Sequence, residues 1–207
     1  MSSPARREFF GTERLLAFSD GVFSVAITLL VLDVRLPSDR ADGDSPLLSA
    51  LIGLWPKLLV FCFTFVIVGI NWVSHHRKFS YVKRVDGGLL WLNLIYLMTL
   101  CLIPFATSLL GGSGNRLGFV VYLLTMALVA LLSTALSVCG LRAPFMEASD
   151  VYPGLRADMI LSPLSSAAIF LLSAGLAYAN HLAIARWTLL AIFPALAFLG
   201  LRGRRPG

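Results

Sequence analysis

The stretch from Arg14 to Leu36, RLLAFSDGVFSVAITLLVLDVRL, decides the fold, because it is long enough to cross a bilayer yet carries Ser19, Asp20, Thr28 and Asp33. A spanning helix takes about 20 mostly apolar residues. A carboxylate left in hydrocarbon costs several kcal/mol, so Asp20 is expected to face protein or water rather than lipid. An ionisable side chain in such a segment marks the place to look for function.

Outward from that stretch the chain keeps the same character: 57% of its 207 residues are hydrophobic and 14% are charged. Five further runs are long and apolar enough to span, giving six predicted helices at about 15–36, 54–72, 89–110, 117–141, 159–178 and 183–201. The runs are continuous rather than alternating, which excludes strands, and the loops between them are short. The expectation is an all-α integral membrane protein forming one six-helix domain over residues 1–207. The first run is longer than a signal-peptide core and lacks a small-residue cleavage site, so it is expected to remain in place.

Basic residues set the orientation, because short loops rich in Lys and Arg stay on the cytoplasmic side. Twelve of the 17 Lys and Arg residues fall before the first helix, between the second and third (Arg77, Lys78, Lys83, Arg84), between the fourth and fifth, or at the carboxyl end. Both termini are therefore predicted to be cytoplasmic. The net charge of +6 sits at membrane ends, where anionic lipid headgroups rather than nucleic acid are the expected partners. Cys62, Cys101 and Cys139 lie in apolar runs with no paired or zinc-type spacing, and are expected to be buried free thiols; no metal or cofactor is implied. Pro56, Pro104, Pro163 and Pro194 sit at or within helices, where a bend set by packing is the expected consequence.

At 3.6 residues per turn, Val25, Thr28 or Leu29, and Leu32 share one stripe of the first helix. By periodicity alone such a stripe is an ordinary packing seam sooner than a pore lining, and spacing does not settle which it is. Asp20 lies toward the cytoplasmic end of this helix and Asp33 toward the other; an acidic group at a pore mouth raises the local cation concentration. Asp33 is alternatively a headgroup-level residue, solvated or paired with Arg35.

The run Arg14, Phe18, Ser19, Asp20, Gly21, followed by an apolar helix ending ITLLVLDV, resembles the signature that opens the first helix in prokaryotic members of the transmembrane protein 175 family of endosomal and lysosomal potassium channels. The six-span layout and a His-bearing segment after the second helix agree over essentially the whole chain. Animal members carry two such units in one chain, whereas this one carries a single unit, so the resemblance implies a homotetramer with the first helix lining a central pore. It further implies that the stripe of Val25, Thr28, Leu29 and Leu32 faces potassium ions, with Val25 and Leu32 as apolar layers and Thr28 as the hydroxyl that aids discrimination. Val25 is smaller than the Leu or Ile usual in the family.

The segment Asn71, Trp72, Val73, Ser74, His75, His76, Arg77 resembles the family's second-helix signature, in which a Trp and a His join a network bracing the first helix. Asn71 lies one turn from His75 and Trp72 one turn from His76, so the two imidazoles point about 100° apart and do not readily grip one metal. One of the pair is expected to bond Ser19 or Asp20 across helices, and the other to sit at the membrane edge. Arg14 and Asp20 do not share a helical face, so any partner of Arg14 is expected on another helix or subunit.

No carbonyl filter of the Gly-Tyr-Gly type is visible, so selection is expected to work by dehydration. An apolar ring supplies little replacement solvation, and potassium gives up water more cheaply than sodium. The same ring can dewet and close. A Ser19–His–Asp20 hydrolase is disfavoured because Ser19 and Asp20 are neighbours pointing apart, with no oxyanion motif. A proton-coupled or ion-coupled transporter is the alternative, but the chain shows no midplane polar site or paired broken helices. The sequence thus predicts a passive, leak-like potassium channel of the cytoplasmic membrane, needing no cofactor.

Overall fold

The structure, a computed structural model, describes residues 11–36, 44–113, 116–142 and 153–190. Its helices are α1 (Thr12–Leu29, continued as a 3₁₀ turn over Leu30–Asp33), α2 (Asp44–Gly53), α3 (Trp55–Ser80), α4 (Gly87–Cys101), α5 (Ile103–Ser113), α6 (Arg116–Gly140), α7 (Pro153–Tyr178) and α8 (Leu182–Leu190). Taking α4 and α5 as one interrupted span, five segments are long and apolar enough to cross a membrane: Thr12–Asp33, Trp55–Ser80, Gly87–Leu110, Arg116–Gly140 and Pro153–Tyr178. The predicted sixth span, residues 183–201, is described only as far as Leu190, and its remainder lies outside the described residues. All regular structure among the described residues is helical, as the continuous apolar runs require.

Two predicted boundaries move and one loop gains a helix. The second helix does not stop near Trp72 but runs on to Ser80, which places Arg77 and Lys78, expected between the second and third helices, inside the helix. The extension is possible because each basic side chain finds a partner: Arg77 pairs with Asp158 of α7, and the Lys78 ammonium donates to the carbonyl (3.0 Å) and hydroxyl (2.6 Å) of Ser133 on α6. The fifth helix starts at Pro153 rather than near Met159, and the loop after the first span contains α2. The cysteines are free, but Cys62 and Cys101 are exposed on the protomer and Cys139 is half-buried, correcting the expectation of buried thiols.

The prolines have separate local explanations. Pro56 sits in the first turn of α3, where a missing N–H costs nothing. Pro104 likewise follows the break at Leu102, whose own N–H turns back to the Thr99 carbonyl at 3.1 Å. Pro163 lies inside α7 and deprives the Met159 carbonyl of its helical donor; the Ser137 hydroxyl of α6 donates to that carbonyl instead, at 2.7 Å. Pro194 lies outside the described residues.

The core is the seam where α1, α3, α4 and α6 meet, filled by side chains such as Phe23, Val68, Tyr96, Leu100, Leu123 and Met126. α6 runs closely along α7, and α8 folds back on α7. The turn before α8 places Asn180 at φ 71°, a left-handed conformation that Asn tolerates better than most residues, and the Arg116 guanidinium donates to its side-chain oxygen at 2.7 Å.

Candidate ion pathway and its bracing network

α1 has two faces. Leu15, Ser19, Phe23, Ala26 and Leu30 follow one helical stripe and are buried in the protomer, while Phe18, Gly21, Val25, Thr28, Leu29 and Leu32 follow the opposite stripe and are exposed. Val25 is 57% exposed, Leu29 42% and Leu32 52%, large values for apolar side chains on a helix that packs against three others. The helix tightens to 3₁₀ geometry from Leu30, where residues three apart eclipse one another, so Leu32 stands directly beyond Leu29. The Thr28 hydroxyl hydrogen is spent on the Val25 carbonyl at 2.9 Å, which leaves the oxygen's lone pairs facing outward as acceptors.

Behind this stripe the buried face is held by a one-way chain of hydrogen bonds. Ser19 Oγ donates to the Leu15 carbonyl at 2.8 Å, and Asn93 Nδ2 of α4 donates to Ser19 Oγ at 3.1 Å. Asn93 Oδ1 is then left to accept, and His75 Nε2 of α3 lies 2.8 Å from it, which fixes His75 as the Nε2–H tautomer. Ser19, Asn93 and His75 are all essentially inaccessible. The His75 ring stacks on Tyr96 with centroids 5.6 Å apart and planes 3° apart, and Phe23 of α1 and Phe79 of α3 close over it. The imidazole is thus a neutral structural group joining three helices.

A second, wetter contact lies one residue along. Trp72 Nε1 of α3 donates to Asp20 Oδ1 at 2.8 Å, and His76 Nδ1 stands 4.0 Å from Asp20 Oδ2, with both partners substantially exposed. Both histidines therefore serve α1: His75 reaches Ser19 through Asn93, not directly, and His76 approaches Asp20. Asn71, expected in the network, instead donates to the Ile67 carbonyl of its own helix at 2.9 Å. Arg14 is exposed with no partner among the described residues. Asp33 is not paired with Arg35, whose Nε turns back to the Leu32 carbonyl at 2.6 Å. The member that sequence reasoning missed is Asn93, a lone amide in the apolar run LLWLNLIYLM, and its isolation there was the available signal.

Among the described residues no cluster of His, Cys, Asp or Glu is placed to hold a metal ion. The geometry offers a lined surface and a brace, with no nucleophile held against a base.

Known proteins resemble this chain in sequence and in fold. Residues 14–104 match the family described as endosomal/lysosomal potassium channel TMEM175, a family of ion channels rather than enzymes, with no cofactor requirement. A potassium channel of Streptomyces collinus is 38% identical over 191 residues, covering 87% of this chain and 89% of that one. A potassium channel of Chamaesiphon minutus is 44% identical over 99 residues, 48% of this chain and 49% of that one. The crystal structure of a lysosomal potassium-selective channel TMEM175 homolog from Chamaesiphon minutus superposes with a TM-score of 0.75 at 28% identity, covering 94% of this chain and 98% of that one. With the Arg14 to Gly21 run and the Asn71 to Arg77 segment meeting at the α1–α3 contact, this multi-pass membrane protein belongs to the TMEM175 channel family.

Proposed function

We propose that the chain assembles as a homotetramer in the cytoplasmic membrane, with both termini cytoplasmic, and conducts potassium passively through a central path lined by four copies of α1. The observation that carries this reading is the division of α1 into a buried, hydrogen-bonded face and an exposed stripe of Val25, Thr28, Leu29 and Leu32. A lipid-facing stripe gains nothing from an outward hydroxyl oxygen or from Asp20 and Asp33 near its two ends, whereas a cation path uses all three. Potassium channels among the relatives, and the potassium-selective homolog sharing the fold, support the choice of ion.

In this reading the apolar ring of Leu29 and Leu32, narrowed by the 3₁₀ turn, strips water from the ion and serves as both filter and gate. Val25 forms a second apolar layer and Thr28 supplies the oxygen lone pairs between them. Asp20 and Asp33 raise cation concentration at the mouths. The test is potassium against sodium flux in liposomes: Leu32→Ala or Val25→Ala raises conductance or lowers the potassium preference. Unchanged conductance and preference in both variants overturn the pore assignment.

A further inference from the structure

α3, α6 and α7 converge on a small cavity of about 30 Å³, at the foot of the cleft that stays open between α3 and α7. Ile67 and Phe170 give it apolar walls, but Asn71 and Ser74 of α3, Ser133 of α6 and Ser162 of α7 also line it. A bound water needs roughly 10–15 Å³ of such space and about two to four polar partners, whereas organic ligands fill pockets of about 300 Å³ or more. Size and polarity together select water over an acyl chain or a larger solute.

The polar groups of the lining have matching capacity to spare. Ser133 is 2% exposed and its hydroxyl oxygen already accepts from the Lys78 ammonium at 2.6 Å, so its own hydrogen points elsewhere, and no acceptor for it stands among the described residues. Asn71 spends an amide hydrogen on the Ile67 carbonyl at 2.9 Å, which leaves its Oδ1 as a free acceptor on the α3 wall. The Ser74 and Ser162 hydroxyls are likewise without a protein partner among the described residues. A buried donor and a free acceptor that line one polar space without touching call for a molecule that both accepts and donates.

We propose that this cavity binds water, and that the water completes a chain running from Lys78 through Ser133 to Asn71. Ser133 donates to the water oxygen, and the water donates to Asn71 Oδ1 and to the hydroxyl oxygen of Ser74 or Ser162. α6 and α3 are joined in this way at Asn71, one turn before the His75 that meets Asn93. The polar end of the cleft, where Arg77 and Asp158 lie, supplies the entry path.

X-ray radiolytic footprinting of the purified full chain, in which hydroxyl radicals form at bound waters and are read as side-chain oxidation by mass spectrometry, tests it. Phe170 and Phe23 are alike inaccessible, at 2% and 1%, but Phe170 borders the cavity whereas Phe23 packs on His75 and Tyr96. Oxidation of Phe170 well above that of Phe23 is expected. Equal, low oxidation of the two overturns the proposal, and is the result if an acyl or detergent chain occupies the cavity. Asn71→Leu keeps the volume but removes the acceptor, and Ser166→Val narrows the cavity from the α7 wall without touching the chain of hydrogen bonds. Each is expected to lower Phe170 oxidation to the Phe23 level. Undiminished oxidation in Asn71→Leu overturns the role of Asn71, and undiminished oxidation in Ser166→Val overturns the site. Should Asn71→Leu misfold, Phe23 itself becomes oxidised, and Ser166→Val decides the matter.

Discussion

Two polar clusters cross the helical bundle, and they solve the burial of polar groups in opposite ways. At the α1–α3–α4 seam, Ser19, Asn93 and His75 form a chain of three hydrogen bonds that ends on the Leu15 carbonyl, with His75 Nδ1 left buried and unpartnered. At the α3–α6–α7 seam charged groups are buried: Asp158 against the half-exposed Arg77, and the Lys78 ammonium against Ser133. The neutral chain costs little desolvation and fixes the rotation of α1, the helix whose other face carries the proposed ion path. The charged cluster bears a larger desolvation penalty, and its strength depends on every partner being present. Geometry is set at the first seam, and the second ties the peripheral helices to the end of α3.

That contrast can be broken or sharpened by substitution, with stability read from equilibrium unfolding in mixed micelles. The largest effect is expected for Asp158→Asn, which leaves the Arg77 and Lys78 charges without an opposing carboxylate. Removing one partner of a fully buried pair costs roughly 3–5 kcal/mol, and because Arg77 is 42% exposed the expected loss is nearer about 2–3 kcal/mol. A loss below about 0.5 kcal/mol would show that solvent already screens this cluster.

Asn93→Leu comes next, at about 2 kcal/mol, because it strands the buried His75 Nε2–H and removes the donor to Ser19 while roughly keeping volume. His75→Asn with Asn93→His should restore part of the loss if the link between helices, rather than residue size, is what matters.

Ser137→Ala is expected to cost about 1 kcal/mol by orphaning the Met159 carbonyl. Pro163→Ala returns a backbone N–H to that carbonyl, so in its presence the cost of Ser137→Ala should vanish; additivity of the two substitutions would refute the compensation. Lys78→Met should be smaller still, within about 1 kcal/mol of neutral, since the buried ammonium has only uncharged partners to lose. Asp20→Ala should barely alter the protomer, because the Trp72 and His76 contacts are solvent-exposed. Its expected consequence is a lower yield of tetramer, measured by light scattering. Normal tetramer yield would remove the proposed bracing role of Asp20.

Much of the first seam was legible because it is built from local patterns. The helical period puts Val25, Thr28 or Leu29, and Leu32 on one stripe of α1, and the structure adds the opposite, buried stripe of Leu15, Ser19, Phe23 and Ala26. The Trp72–Asp20 contact was foreshadowed by the paired signatures, but the division of labour between His75 and His76 was not. Adjacent positions on a helix differ by about 100°, and which one faces inward depends on how α3 is rotated against α1. Asn93 stood unnoticed because nothing in its own helix points to a partner 74 residues away.

The second seam was not legible at all. Arg77 and Lys78 read as loop charges because two cations end an apolar run, and only their distant partners, Asp158 and Ser133, allow the helix to continue through them. The same holds for Pro163, a helix breaker by local rules, kept inside α7 by a hydroxyl from α6.

What the sequence determined alone was the membrane class, the approximate position of five spans and the stripe of Val25, Leu29 and Leu32 on α1, since each is a property of consecutive residues and the helical repeat. The tertiary structure decided where the helices really end, which histidine is buried and which carries a carboxylate beside it, and where a cleft stays open. These depend on rotation and separation between helices. Inside a bilayer an unpaired polar group is costly enough that the partner, wherever it lies along the chain, dictates the outcome.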